Sequence, residues 1–334
     1  METMTITCES CGKTYRIPAE KLPQVKQRGI LCPNCKARMS FRRTAPGQAA
    51  QDTAPNKSGT LKKEIVETIK GLPSMPQIIL KAQEIIANPD AGIRELTKVI
   101  EKDQAVSARM VKLANSAYYG LSGKIGTIHK AITMLGQKTL REVLLTIGYS
   151  GLLDRNLKGY GYESGDLWRH SIAVGIGARI TAEIKGYDEP SEAYLAGLIH
   201  DAGKLVLDPY ILKMKKDFDA FLSDESQTYL NAERSIFGFD HADIAADVCR
   251  KWHVPPAISM AVRFHHAPSE SKENVLAYIV HLADQVARTG GLGYGDDDYL
   301  YLLEDGTLDY LQLDLKSVSD ISAQVIENLI HFQN

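Results

Sequence analysis

From Gly59 to the end of the chain, apolar residues recur at three- and four-residue steps, with no sustained period-two alternation bounded by hairpin turns. In QIILKAQEIIANP, the side chains of Ile78, Ile79, Ala82, Ile85 and Ile86 share one helix face, and Pro89 follows the stop signal Asn88. ELTKVIEKD, AVSARMVKLANSAYYG, KTLREVLLTIGYSGLL and HSIAVGIGARITAEIKG keep the same period. Ser191 is placed to cap a helix SEAYLAGLIHDAGKLVL, and Asp240 one beginning HADIAADV. A last amphipathic segment carries Val318, Ile321, Val325, Ile326, Leu329 and Ile330, and is expected to pack on the rest. The pattern predicts an all-α multi-helix module. No internal repeat of fixed period accompanies it.

The first 43 residues obey a different logic. Cys8-x-x-Cys11 and Cys32-x-x-Cys35 are two CxxC pairs separated by 20 residues. Each pair can offer two sulfurs to one Zn²⁺, and two such pairs complete a tetrahedron. A segment this short buries too little apolar surface to fold alone, so a structural zinc supplies the missing free energy. Disulfides suit secreted chains, and a redox CxxC would sit beside a strand–helix unit that is not evident here. The fifth cysteine, Cys249, reads as a small buried apolar residue. The segment CESCGKTYRIPAEKLPQVKQRGILCPNCKARMSF resembles a family of short bacterial zinc ribbons found at the N-termini of regulatory proteins.

Residues 1–43 hold nine Lys/Arg against three Asp/Glu, within a chain of net charge −2. Tyr15, Arg16, Arg28, Lys36, Arg38 and Phe41 could form a basic, aromatic face for nucleic acid. The blander alternative, a solvated small domain that contacts protein, is preferred because four thiolates and one Zn²⁺ offset part of the charge. Residues 44–60, TAPGQAAQDTAPNKSGT, contain no large aliphatic or aromatic side chain. They are expected to be a flexible linker of roughly 20–25 Å. Apolar runs are far shorter than the roughly 20 residues a membrane helix needs, and METMTITCES lacks a basic start and apolar core. The expectation is a cytoplasmic protein with no membrane partner.

Seven of the nine histidines fall between positions 170 and 281, at His170, His200, His241, His253, His265, His266 and His281. His200 is followed by Asp201, and His281 by Asp284 three residues on. Adjacent His and Asp on a helix point about 100° apart, so a metal between them needs ligands from neighbouring helices. Imidazole with carboxylate suits iron, manganese or zinc more than calcium. Asp201 is short enough to bridge two cations, and a metal pair could polarise a phosphoryl oxygen and activate water. His253, beside Trp252, and His129 read as surface or packing residues, as does His281.

The sequence from GLPSMP (residues 71–76) through IEKDQAVSARMVKLANSAYYG and IGTIHKAITMLGQKTLREV resembles the HDOD family, part of the HD-domain metal-dependent phosphohydrolase superfamily. Asp103-Gln104 stands where the family pattern has Asp-Pro. The resemblance implies the order H…HD…D for one metal, which His170, His200, Asp201 and Asp284 match. It places His241 and His265 (or His266) at positions that hold a second metal. Asp201 and Lys204, in the HDxGK form, are then the candidate catalytic residues, with Lys204 and Arg169 facing substrate phosphate. The HHExxDGxGYP signature of the HD-GYP cyclic-dinucleotide phosphodiesterases is missing: His265-His266 is followed by APSESKEN. The expected organisation is a ribbon (1–43), a linker (44–60), an HDOD domain (61–290) and a C-terminal helical extension packed on it (291–334). The expected function is a signal-transduction output protein that binds one or two divalent metals and engages signalling proteins. The alternative is a phosphohydrolase or phosphodiesterase with a nucleotide ligand.

Overall fold

A computed structural model of the chain describes residues 3–7, 14–18, 30–31, 38–39, 57–71, 76–88, 90–292 and 300–333. Met1–Pro55 and Asn56–Asn334 form separate compact units. In the first, β1 (Thr3–Thr7) pairs antiparallel with β2 (Thr14–Pro18), and β3 (Ile30–Leu31) with β4 (Arg38–Met39). One CxxC pair follows β1 in the sequence and the other follows β3. The cysteines Cys8, Cys11, Cys32 and Cys35 themselves lie outside the described residues.

The second unit is helical among its described residues. It begins with α1 (Lys57–Gly71), α2 (Gln77–Ala87), α3 (Ile93–Ile100) and α4 (Gln104–Ala114). Helix α1 starts inside the stretch 44–60 expected to be linker, so that expectation is corrected at its C-terminal end; residues 44–56 lie outside the described residues. The burial of Ile65 and Ile69 gives α1 the apolar anchor that the residues before it lack. A long helix α5 (Ile128–Leu153) follows, broken at Gly136, where φ is 71°, a conformation that residues with a Cβ avoid. Then come α6 (Asp166–Lys185), α7 (Pro190–Ile199), α8 (Lys204–Lys213), α9 (Lys215–Leu222) and α10 (Tyr229–Ile236). The series closes with α11 (His241–Lys251), α12 (Pro256–Arg263), α13 (Val275–Ala287), α14 (Thr307–Leu311) and α15 (Leu315–Gln333).

Two local expectations change. The helix expected to run from Ser191 past the His–Asp pair is two helices, α7 and α8, with His200–Gly203 forming the turn between them. Ser191 is not the cap: Glu189 precedes the helix, and Pro190 occupies its first turn, where a missing N–H costs nothing. Asp240 does cap α11, accepting from the Asp243 N–H at 2.9 Å. In the C-terminal segment, Ile321, Val325, Leu329 and Phe332 of α15 are buried, whereas Ile326 and Ile330 are 41% and 54% exposed. Most of that helix's apolar stripe therefore packs, while Ile326 and Ile330 face solvent. Cys249 is buried and free. No described helix is long and apolar enough to cross a membrane.

Candidate metal centre

Seven of the side chains singled out in the sequence converge inside the helical unit. His170 comes from the second turn of α6, His200 and Asp201 from the α7–α8 turn, and His241 from the first residue of α11. His265 and His266 follow α12, and Asp284 lies on α13. All but His266 are at most 5% exposed. The turn reaches the group because Gly203 has no side chain: a Cβ there would lie 1.9 Å from the His241 carbonyl oxygen. Only glycine lets the start of α8 approach α11 this closely.

Donor atoms gather in two sets that share Asp201. Asp201 Oδ2 is 3.8 Å from His170 Nε2 and 3.4 Å from His200 Nε2. Its other oxygen, Oδ1, is 3.2 Å from His241 Nε2 and 3.9 Å from His265 Nε2. Asp284 Oδ1 joins the first set, 3.1 Å from His170 Nε2 and 3.8 Å from His200 Nε2. His266 joins the second, its Nε2 2.9 Å from that of His241. Within His170–His200–Asp201, within His200–His265–Asp284 and within His241–His265–His266, one donor atom per residue lies within 4.8 Å of the others. Two ligands about 2.1 Å from one ion stand up to about 4.2 Å apart, so small rotations bring either set onto a cation.

Hydrogen bonds on the far side of each ring decide which nitrogen faces inward. Nδ1 of His170, His200 and His265 meets the carbonyl oxygens of Leu292, Gly197 and Val262 at 3.0, 2.7 and 2.7 Å. Nδ1 of His241 meets Glu233 Oε2 at 2.8 Å. A carbonyl or carboxylate oxygen only accepts, so Nδ1 carries the proton in each ring and Nε2 is turned to the centre. Among the described residues, Nε2 of His170, His200 and His265 and Oδ1 of Asp201 are buried without a hydrogen-bond partner. Leaving such atoms unsatisfied costs about 1–3 kcal/mol each, and a cation satisfies them together. The donor set therefore fits a divalent metal.

Charge is arranged to the same end. Burial pushes the Asp201 carboxyl up, but His200 and Lys204 outweigh it and hold it well below the usual carboxylate range. Asp284 is likewise pushed up by burial and drawn well below by Arg288 and His170. Burial, then repulsion from His200, pushes His265 down to about 3. His266 falls well below its ordinary value through burial and the adjacent His265. His241 is the exception: burial lowers it, yet Glu233 and Asp201 raise it to about 9. A metal on its Nε2 would displace that proton.

Two buried cations close the group. Lys204 Nζ lies 2.7 Å from Asp201 Oδ2 and 3.3 Å from the Tyr162 hydroxyl. Arg288 Nε lies 2.9 Å from Asp284 Oδ1, and its guanidinium sits 4.2 Å from the ring centre of Tyr301, which also flanks His266. Arg169 instead bonds Asp166 at 2.7 Å. His281 spends both nitrogens on backbone, Nδ1 on the His265 carbonyl and Nε2 on the Glu304 N–H. His253 and His129 are exposed. Arg288, Glu233 and Tyr160, which donates to Glu233 at 2.7 Å, were not foreseen. Arg288 follows Asp284 by four residues, a helical acid–base spacing that could have revealed it. Glu233 has no comparable local signal.

The sequence matches the HDOD domain over residues 72–268 and a zinc-ribbon domain over residues 4–41. A crystal structure of an HDOD domain protein of unknown function from Geobacter sulfurreducens superposes with a TM-score of 0.68 at 25% identity, covering 82% of this chain and 97% of that one. A provisionally named phosphohydrolase from Shewanella amazonensis SB2B shares the fold with a TM-score of 0.64 at 23% identity, over 80% and 97% of the two chains. A provisionally named signal transduction protein from Marinobacter aquaeolei VT8 does so with a TM-score of 0.64 at 21% identity, over 100% and 75%. An uncharacterized protein of Treponema pallidum (strain Nichols) is 26% identical over 218 residues, 64% of this chain but only 42% of the relative's length. The chain belongs to the HDOD domain family and carries a zinc-ribbon domain at its N-terminus.

Proposed function

We propose that this chain is a signal-transduction output protein whose HDOD domain holds one or two divalent cations between His170, His200, Asp201, Asp284, His241, His265 and His266. The observation that carries the reading is the inward turn of four Nε2 atoms, each fixed by an acceptor on its Nδ1 side. Asp201, with an oxygen toward each set, is the natural bridge if two ions are bound. Imidazole and carboxylate donors favour iron, manganese or zinc. When bound, such an ion would act as a Lewis acid or, in a module without turnover, lock five chain segments together. The closed surroundings favour a regulatory role: Lys204 and Arg288 are buried and already paired with the two carboxylates, and Tyr301 flanks the cluster. Signalling proteins are the expected partners.

Phosphoester hydrolysis is the second reading, favoured by the same two cations. A phosphate arriving beside Asp201 and Asp284 would meet Lys204 and Arg288, which could exchange carboxylate for phosphate oxygen. Elemental analysis of the full chain, purified without chelator or a histidine tag, separates metal binding from its absence. The ribbon accounts for one zinc. Wild type should carry one to two further equivalents of iron, manganese or zinc, and His200→Ala should retain only the ribbon zinc while keeping its helical circular dichroism. A wild type with ribbon zinc alone, even after loading with each metal, sinks both readings. Phosphate release from nucleotide substrates by the loaded protein, lost in Asp201→Asn, would select the second over the first.

A further inference from the structure

Trp168 and His170 lie two residues apart on α6, so their side chains leave the helix about 200° apart. His170 faces the candidate metal centre. Trp168 instead lines a cavity of about 430 Å³, bounded by α4, α5, the start of α6 and Phe332 of α15. Ligand pockets commonly measure about 300–1,000 Å³ and combine apolar walls with a few placed polar groups. We propose that this cavity binds a small phosphorylated aromatic molecule of the size of a nucleoside monophosphate, at a site separate from the metal centre.

The chemistry of the lining leads to that class. Arg109 and Lys112, three residues apart on α4, are both exposed and line the cavity together. Arg109 donates to Ser150 Oγ at 3.0 Å through one guanidinium nitrogen, leaving further N–H groups for an anion. The lining hydroxyls are committed elsewhere: Ser150 Oγ donates to the Ile147 carbonyl and Ser116 Oγ to that of Leu113, at 2.8 and 2.7 Å. Anion binding therefore falls to the two cations. Asp154 contributes the single carboxylate of the lining, and it accepts from Ser164 Oγ at 3.0 Å. The remaining wall is apolar, from Leu113, Ile147, Phe332 and the half-buried indole of Trp168. An indole offers a face to any planar base, and adjacent Arg and Lys match the several oxygens of a phosphate better than a lone carboxylate.

The chain has two tryptophans, Trp168 and Trp252, so Trp252→Phe leaves Trp168 as its one indole. Adenosine and guanosine monophosphate are titrated into this protein, with adenosine and inorganic phosphate as controls and calorimetry as a second readout. A nucleotide should change Trp168 emission and bind at least about tenfold more tightly than either control, because each control lacks half of the recognised groups. Arg109→Ala/Lys112→Ala, at exposed positions, should weaken nucleotide binding by about tenfold or more with unchanged circular dichroism. His200→Ala should leave it intact. The proposal is overturned if neither nucleotide binds at millimolar concentration, or if inorganic phosphate binds as well as the nucleotides. It fails too if the double variant binds like wild type, or if His200→Ala abolishes binding, which would put the nucleotide at the metal centre.

Discussion

The two units of this chain bring their candidate metal ligands together by opposite strategies. In the N-terminal zinc-ribbon domain the four cysteines sit within 28 residues, in two pairs whose spacing alone brings sulfurs together. In the helical unit the ligand candidates run from His170 to Asp284 and meet only when five chain segments are packed. The ribbon has too little apolar surface to fold without its metal. The helical unit has a continuous core, from Ile65 in α1 to Phe332 in α15, that does not depend on the cluster. Metal should therefore create the fold in one unit and occupy a preformed site in the other. The buried, unpartnered Nε2 and Oδ1 atoms are the donors that such a preformed site would offer an ion.

Chelation gives the largest expected contrast. Structural zinc in small finger domains contributes apparent binding free energies of about 10–16 kcal/mol at neutral pH. A strong chelator should therefore unfold residues 1–43, seen as rapid proteolysis there, while residues from about 57 onward keep their helical circular dichroism. Loss of the helical spectrum on chelation would break the contrast. A smaller effect is expected from Gly203→Ala. Its Cβ would meet the backbone of His241 and Ala245, neither of which can swing aside. The variant should lose about 1–3 kcal/mol of stability in denaturant unfolding and bind metal less tightly, because both strained segments carry ligands. An unchanged midpoint would show that the turn tolerates displacement. An effect confined to metal affinity, and therefore the narrowest of the three, should come from Glu233→Gln. Glu233 accepts from the ring and backbone N–H groups of His241 and fixes the ring's direction. Its amide replacement should weaken metal affinity at the His241 set by about 10–100-fold with the helical fold retained. Equal affinity in a metal titration would mean that packing alone orients the ring.

Much of this was legible in the residue pattern, and the gaps have physical causes. The helical period located many of the helices, among them α2 to α6, α11 and α15, where one face lies against the core, as with Ile79, Ala82, Ile85 and Ile86 in α2. The same period runs without interruption across His200–Gly203, which is why one helix was expected where a turn joins two. That turn is set by the approach of α8 to α11, a contact between residues some 40 positions apart in the sequence, which no local propensity encodes. The cluster's histidines and aspartates were visible as a concentration of types and as a family pattern. Their division into two sets around Asp201 was not, because it depends on which carboxylate oxygen faces which ring.

The sequence by itself determined the two-unit organisation, the helical character of the larger unit and the concentration of histidine and aspartate from which the candidate ligands come. These rest on local spacing and composition, which physics reads within one or two turns of chain. Only the tertiary structure decided that Nδ1 is tied outward and Nε2 left inward, that Lys204 and Arg288 neutralise the carboxylates, and that Trp168 faces a separate cavity. Each of these depends on the direction of a side chain relative to a neighbour far away in the chain, and direction is fixed by packing.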